Sequence, residues 1–169
     1  MGHRYLKMVL SLAVGLLAGL WCANNLLNWD MAHGAVAYSI SQADQGGYPV
    51  HLAPPINSPI IATIVLLAIV AGEGAAGALA LFGAYRMWAA RHRDHGLFQT
   101  AKSYAIIGAG VAVLVWFLLF QVIGGTLILM GQSEGPRASL EGAFRFASYC
   151  FLTLIYLSLP EPTAGTSRD

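Results

Sequence analysis

The sequence predicts an all-α membrane protein: a four-helix transmembrane bundle with a short interfacial helix in the outer loop between the first two spans. Of its 169 residues, 57% are hydrophobic and 10% are charged, whereas a soluble domain carries about 25% charged residues. The chain also contains four apolar runs long enough to cross a hydrocarbon core about 30 Å thick. Lipid therefore covers much of the surface, and residues 1–169 form a single membrane domain.

The predicted spans cover residues 5–28, 59–88, 101–130 and 140–159. The first run is longer than the apolar core of a signal peptide, about 7–15 residues, and is interpreted as a retained anchor. The second begins at Pro59, which suits a first helical position and follows Ser58 as an N-cap. The second and third runs are long enough to tilt in the bilayer.

The segment between the first two spans divides at Gly46 and Gly47. Its first half places Trp29, Val36 and Ile40 near one helical face, which indicates a short helix on the membrane interface. Its second half is rich in proline and is predicted to be an extended loop.

Basic residues concentrate on the side of the bundle that carries both termini. Lys and Arg near helix ends remain in the cytoplasm during insertion. Seven fall on the side of the termini and two, Arg137 and Arg145, on the other; the seven are Arg4, Lys7, Arg86, Arg91, Arg93, Lys102 and Arg168. Both termini are therefore predicted to be cytoplasmic.

Glu73 is the most informative single residue, since an ionisable group near the middle of a span is unfavourable unless it faces a partner or a cavity. Gly72, Gly74 and Gly77 around it leave room for a neighbouring helix to approach closely. Glu73 is interpreted as a proton relay or as a carboxylate bonded to a substrate or cofactor. The structural alternative is a hydrogen bond to Gln121 in the third span or to a partner subunit.

A cluster of polar residues lies at the outer end of the first span: Asn24, Asn25, Asp30 and His33. Asp30 and His33 share one helical face and are candidate metal ligands. Two ligands do not complete a metal site, so no metal or other cofactor is predicted. Capping of the helix end is the alternative interpretation.

Aromatic and basic side chains on the third and fourth spans are predicted to contact lipid or a partner: Trp116, Phe120, Phe144, Arg145 and Phe146. The aromatic face of the third span suits a quinone, a carotenoid or another subunit, and core packing is its alternative. Arg145 is predicted to extend towards the outer interface or to pair with Glu141.

Several classes of function are excluded or not indicated. The net charge of +1 and the lack of a basic face exclude a nucleic-acid partner. The five histidines all fall at the ends of spans or in loops, which argues against a bis-His haem bundle. Phosphate-binding loops and Cys-x-x-Cys motifs are missing from the sequence, so an enzyme is not indicated.

The order of several motifs resembles the DUF2165 family of predicted small integral membrane proteins. These motifs are NNLLNWDMAH after the first span, a lone Glu in the second, the segment 102–125 in the third, then Gln132-Ser133 and residues 143–146. The resemblance implies four helices and a bacterial inner membrane, and it implies no activity.

Three functional hypotheses remain open. The first is a non-catalytic accessory subunit of a larger respiratory or other redox complex, surrounded by lipid and by other integral subunits. The second is a small homo-oligomeric transporter or channel, with Glu73 and Gln121 along its path. The third is a quinone- or metal-binding redox protein that uses Asp30, His33 and the adjoining asparagines.

Overall fold

The computed structural model describes residues 2–44, 47–48 and 50–161, in which helices are joined by turns and irregular segments and no strand occurs. The elements are, in order, α1 (Gly2–Leu27), α2 (Trp29–Ser41), α3 (Pro59–Ala89), α4 (His95–Ala101), α5 (Ser103–Val113), a π-helix (Leu114–Leu127), a 3₁₀ turn (Met130–Gln132) and α6 (Glu134–Ser158). The predicted break at Gly46 and the basic residue Arg168 lie outside the described residues.

Four helical stretches are long and apolar enough to cross a membrane: Gly2–Leu27, Pro59–Ala89, His95–Leu127 and Glu134–Ser158. This confirms the predicted bundle of four spanning helices. The third stretch begins earlier than the sequence predicts, because the Asp94 side chain accepts a hydrogen bond from the Leu97 amide and caps α4. The third stretch ends at Leu127, and Leu129 follows with a left-handed backbone at φ 60°. After the 3₁₀ turn, α6 begins at Glu134.

Both ends of the described chain lie at the same end of the bundle. His3 and Tyr156 are hydrogen-bonded there, and Arg4 donates to the backbone carbonyls of Arg91 and Arg93 between α3 and α4. We call this the terminus end. The opposite end, which carries α2 and the segment before α3, is called the loop end.

Towards the terminus end, α1, α3 and α5 pack through small residues. A Cβ atom added to Gly77 would lie 2.9 Å from the backbone nitrogen of Gly19, and one added to Gly108 would lie 2.5 Å from that of Ala80. Such distances allow only glycine, so the backbones of neighbouring helices approach closely. The small residues around the second span therefore make contacts within the chain.

Helix α1 covers only part of α3. Asn25, near the end of α1, lies opposite Glu73, which follows Pro59 by 14 residues, or about 21 Å of helix. The first half of α3 therefore extends well beyond the end of α1. Helix α2 packs beside this half, where its His33 is bonded to the Pro59 carbonyl and to the Thr63 hydroxyl.

The predicted interfacial helix is present as α2, and its apolar face turns towards the bundle. Ile40 is buried and Val36 is half-buried. The chain after α2 folds back on it, because the Ile56 amide donates to the Ile40 carbonyl at 2.9 Å and Gln42 donates to the Ala53 carbonyl at 3.1 Å. The returning segment and α2 together cover the loop end.

The third span is not a uniform α-helix. Its last part, Leu114–Leu127, is a π-helix of 14 residues. π-Helical turns are wider than α-helical turns, are usually short, and often occur at functional sites. The residue pattern of this segment does not distinguish it from an α-helix, so the sequence predicted an uninterrupted one.

Candidate functional site

Glu73 is buried at a junction of three helices. The residue is 2% exposed. The Asn25 side-chain amide on α1 donates a hydrogen bond of 2.8 Å to Glu73 Oε2, and the Trp116 indole of the π-helix lies beside this carboxylate. The carboxylate thus joins α1, α3 and the π-helix at one point.

A cavity of about 710 Å³ extends from Glu73 towards the loop end. Residues of α2, α3, the π-helix and α6 form most of its wall, and α1 contributes only Trp21 and Asn25. The space exists because α1 ends level with Glu73, while the other three spans continue. Helix α2 and the segment before α3 cover this part of the bundle without filling it.

The described residues that line this cavity are almost all apolar. The polar side chains among them are Asn25, Ser39, Ser139 and Glu73, and Glu73 is the only charged one. Ligand sites in proteins have this character: an apolar wall with few polar groups and a volume of about 300–1,000 Å³.

Three of the aromatic rings that line the cavity contact one another. The Phe146 ring lies between the two indoles, with its centroid 5.5 Å from that of Trp21 and 5.4 Å from that of Trp116. The planes are inclined by 50° and 61° respectively, so none of the rings stacks flat on another. We call Trp21, Trp116 and Phe146 the aromatic trio.

A second buried charged cluster lies at the terminus end. Lys7 Nζ lies 2.7 Å and Lys102 Nζ 3.4 Å from Glu161 Oε1, and both ammonium groups also donate to the Leu159 carbonyl. Lys7 is 2% exposed, Lys102 1% and Glu161 6%. Burial alone would raise the pKa of Glu161, but the hydrogen bond and charge of Lys7, and then those of Lys102, hold its pKa below the usual range.

Sequence reasoning missed this cluster. It treated the two lysines only as orientation signals and did not consider Glu161. One signal was available: an acidic residue follows directly after the last span, at the end where Lys7 and Lys102 lie. Opposite charges close to the same membrane boundary favour pairing.

The predicted pairing of Glu73 with Gln121 is wrong. Gln121 lies in the π-helix, where its side-chain amide donates a hydrogen bond of 2.7 Å to the Leu140 carbonyl of α6. It is not among the described residues of the cavity wall. Asn25 is the hydrogen-bond donor to Glu73 instead, because α1 ends at the level of Glu73.

The predicted outer polar cluster is divided. Asn25 turns inwards to Glu73 and His33 contacts the start of α3, whereas Asn24 and Asp30 are exposed. Over the described ranges, no three His, Cys, Asp or Glu side chains come together in a group that could hold a metal ion. Asp30 and His33 therefore have no third ligand of these types there.

The predicted lipid or partner contacts also separate into two groups. Trp116 is 3% exposed and belongs to the core, and Phe120 and Phe146 are half-buried in the cavity wall. These positions agree with the core-packing alternative for Trp116 and Phe120, and contact of the three side chains with a partner or ligand stays a prediction. Phe144, which is 61% exposed, and Arg145 lie on the outer surface.

Four helices long and apolar enough to span a membrane, a buried carboxylate and an apolar cavity of ligand size define a polytopic membrane protein with a partly open cavity. The family model for predicted small integral membrane proteins, DUF2165, matches residues 3–160. The chain therefore belongs to the DUF2165 family, as the resemblance of its motifs predicts. No curated protein and no solved structure matches it. The family description states no activity.

Proposed function

We propose that this protein binds an amphiphilic small molecule inside the membrane, and that the ligand is an apolar compound with at least one group that donates a hydrogen bond or carries a positive charge. One observation carries the proposal: a single carboxylate, that of Glu73, lies on the wall of an apolar cavity of about 710 Å³. We place the protein in the bacterial inner membrane with both termini in the cytoplasm.

The carboxylate of Glu73 can accept a further hydrogen bond from a ligand. A carboxylate has two oxygens and about four lone-pair positions. Asn25 accounts for one hydrogen bond, and the Trp116 indole lies beside the carboxylate. Burying an ionisable group is unfavourable unless it is fully paired. A ligand that brings another donor to Glu73 would complete the pairing and fill the apolar space in one step.

The test measures binding of N-phenyl-1-naphthylamine, an apolar amine, to the full chain in nanodiscs. Tritiated probe is followed by scintillation proximity, and empty nanodiscs provide the partition background. We expect saturable binding to the protein. Binding that does not exceed the background at any probe concentration would contradict the proposal.

Two glycine variants localise the probe. Gly142 lines the cavity, and a Cβ atom added there would contact only Phe146 at 4.0 Å, so Gly142→Phe places a ring inside the cavity without displacing backbone. Gly110 is the matched control, since it lies outside the described wall and a Cβ atom added there meets nothing within 4 Å. We expect Gly142→Phe to abolish saturable binding and Gly110→Phe to retain it.

A homo-oligomeric transporter that uses Glu73 is the second candidate. The cavity extends from the loop end and stops at an ionisable residue, which is the arrangement of one half of an alternating-access path. The other half would require α1, α3 and α5 to separate at their small-residue contacts, such as that of Gly77 with Gly19. Gln121 is not assigned to this path. Loss of flux in vesicles that contain Glu73→Gln would support this candidate, and unchanged flux would exclude it.

The accessory-subunit hypothesis and the redox hypothesis remain proposals with less support. The small residues and the inward aromatic residues were arguments for docking to a partner, and both sets now have contacts inside the chain. Co-migration with other subunits after mild extraction would support an accessory role; migration alone or as a homo-oligomer would exclude it. Purified protein without a bound metal or redox chromophore would exclude the redox hypothesis.

A further inference from the structure

The aromatic trio belongs to the same cavity wall as the carboxylate of Glu73. Trp116 belongs to the trio and also lies beside the Glu73 carboxylate in the cavity wall. Trp21 precedes Asn25 by one helical turn, so the donor to Glu73 and one indole lie on the same side of α1. The Glu73 carboxyl group and the three rings are therefore parts of one surface.

The described residues of the cavity wall include an acidic side chain and no basic one. Along the described wall of the cavity no Lys, Arg or His side chain accompanies Glu73. The two buried lysines of the bundle lie at the terminus end, where Glu161 already pairs with them. A positive group that enters the cavity would thus meet a carboxylate with no competing cation beside it.

Aromatic rings add to this preference. The face of a ring carries negative electrostatic potential, and it attracts cations within about 6 Å of the centroid, most strongly for Trp. The inclined planes of the trio prevent flat stacking between its members. Aromatic surfaces of this kind bind alkylated ammonium groups, whose charge is spread over methyl groups that cannot donate hydrogen bonds.

We infer that the cavity selects a hydrophobic organic cation, such as a tertiary or quaternary ammonium compound, whose charged centre lies between Glu73 and the aromatic trio. This inference rests on the proposed function and narrows its ligand class. The alkyl part of the cation would occupy the apolar wall formed by α2, α3, the π-helix and α6.

The test is a competition between two matched compounds in nanodiscs of zwitterionic lipid that contain the full chain and bound tritiated N-phenyl-1-naphthylamine. One competitor is decyltrimethylammonium, and the other is its uncharged carbon isostere, 2,2-dimethyldodecane. Both are compared at equal membrane-bound concentrations. We expect the cation to displace the probe at a concentration lower by about ten-fold or more. Equal displacement would overturn the inference but leave the proposed function intact, whereas no saturable probe binding would overturn the proposed function itself.

Variants separate the two parts of the site. Glu73→Gln keeps the shape and removes the charge, so we expect it to lose the preference for the cation and still bind the neutral probe. Trp116→Leu should weaken cation binding several-fold, and Trp116→Phe, which restores a ring, should recover part of it. Phe117→Leu, at an exposed position of the same helix, is the control. Probe binding reports an intact cavity in each variant, and a Glu73→Gln protein that still prefers the cation would overturn the inference.

Discussion

Asn25 on α1 donates a hydrogen bond of 2.8 Å to the carboxylate of Glu73 on α3. One residue lies two positions before the end of its helix and the other in the middle of its own, so the contact shows how far α3 extends beyond α1. The same offset leaves room for the cavity. Asn25 therefore links the packing of the bundle to its candidate site.

Replacing Asn25 should destabilise the bundle. Asn25→Ala removes a donor from a buried carboxylate, and the loss is expected to be about 1–3 kcal/mol. Thermal unfolding of the purified protein in mild detergent measures it. Asn24→Ala is the matched control, because Asn24 is exposed and only its backbone carbonyl is used, as the acceptor of a hydrogen bond from Asn28. Equal stability of the two variants would show that the Asn25 contact does not matter.

Stability should fall in acid through Glu161. Its folded pKa is below the unfolded value of about 4.3. Such a group contributes its full stabilisation above the unfolded pKa and loses it as the pH falls through the folded pKa. Unfolding midpoints between about pH 6 and pH 3 should therefore decrease more steeply for the native chain than for Glu161→Gln. Parallel curves would assign the acid sensitivity to other groups.

Two glycines of α5 should respond oppositely to alanine. A methyl group at Gly108 would lie 2.5 Å from the backbone nitrogen of Ala80, whereas one at Gly110 meets nothing within 4 Å. Gly108→Ala is expected to destabilise the protein by about 1–3 kcal/mol through overpacking. Gly110→Ala should be neutral or stabilising by up to about 1 kcal/mol, because alanine favours a helix. Similar unfolding temperatures for the two variants would contradict the close contact of α3 with α5.

Reporter fusions should place both termini in the cytoplasm. The distribution of Lys and Arg, seven against two, predicts this orientation. Green fluorescent protein fused after residue 169 should be fluorescent, since it matures in the cytoplasm. Alkaline phosphatase fused after Asp44 should be active, since it requires the periplasm. An inactive phosphatase together with a dark fluorescent fusion would reverse the assignment.

Much of the fold follows from local properties of the sequence. Hydropathy identifies the four spans, because an apolar run of this length favours lipid regardless of how the other helices pack against it. Ser58 does accept a hydrogen bond from the Ile61 amide and caps α3, as its position before Pro59 predicts. Glu73 is exceptional on local grounds too. An ionisable residue within an apolar span is energetically unfavourable in lipid, whichever residue becomes its partner.

The partners of these residues were not predictable in the same way. Hydropathy gives each span a length but no depth relative to the others, so Gln121 in a neighbouring span was as reasonable a partner for Glu73 as Asn25. Which face of a helix points into the bundle also depends on the number of residues in each helical turn. The π-helix places Trp116 in the core and leaves Phe117 exposed, and the residue pattern contains no signal for that widening.

The sequence by itself determined that this is a four-span membrane protein of the DUF2165 family with one exceptional carboxylate, because composition and motif order are properties of the chain alone. The tertiary structure decided that α1 ends at the level of Glu73, that Asn25 donates a hydrogen bond to this carboxylate, and that a cavity opens beside it. The physical reason is the vertical offset between helices. Backbone contacts at residues such as Gly77 and Gly108 determine it, and those contacts form only when the helices pack.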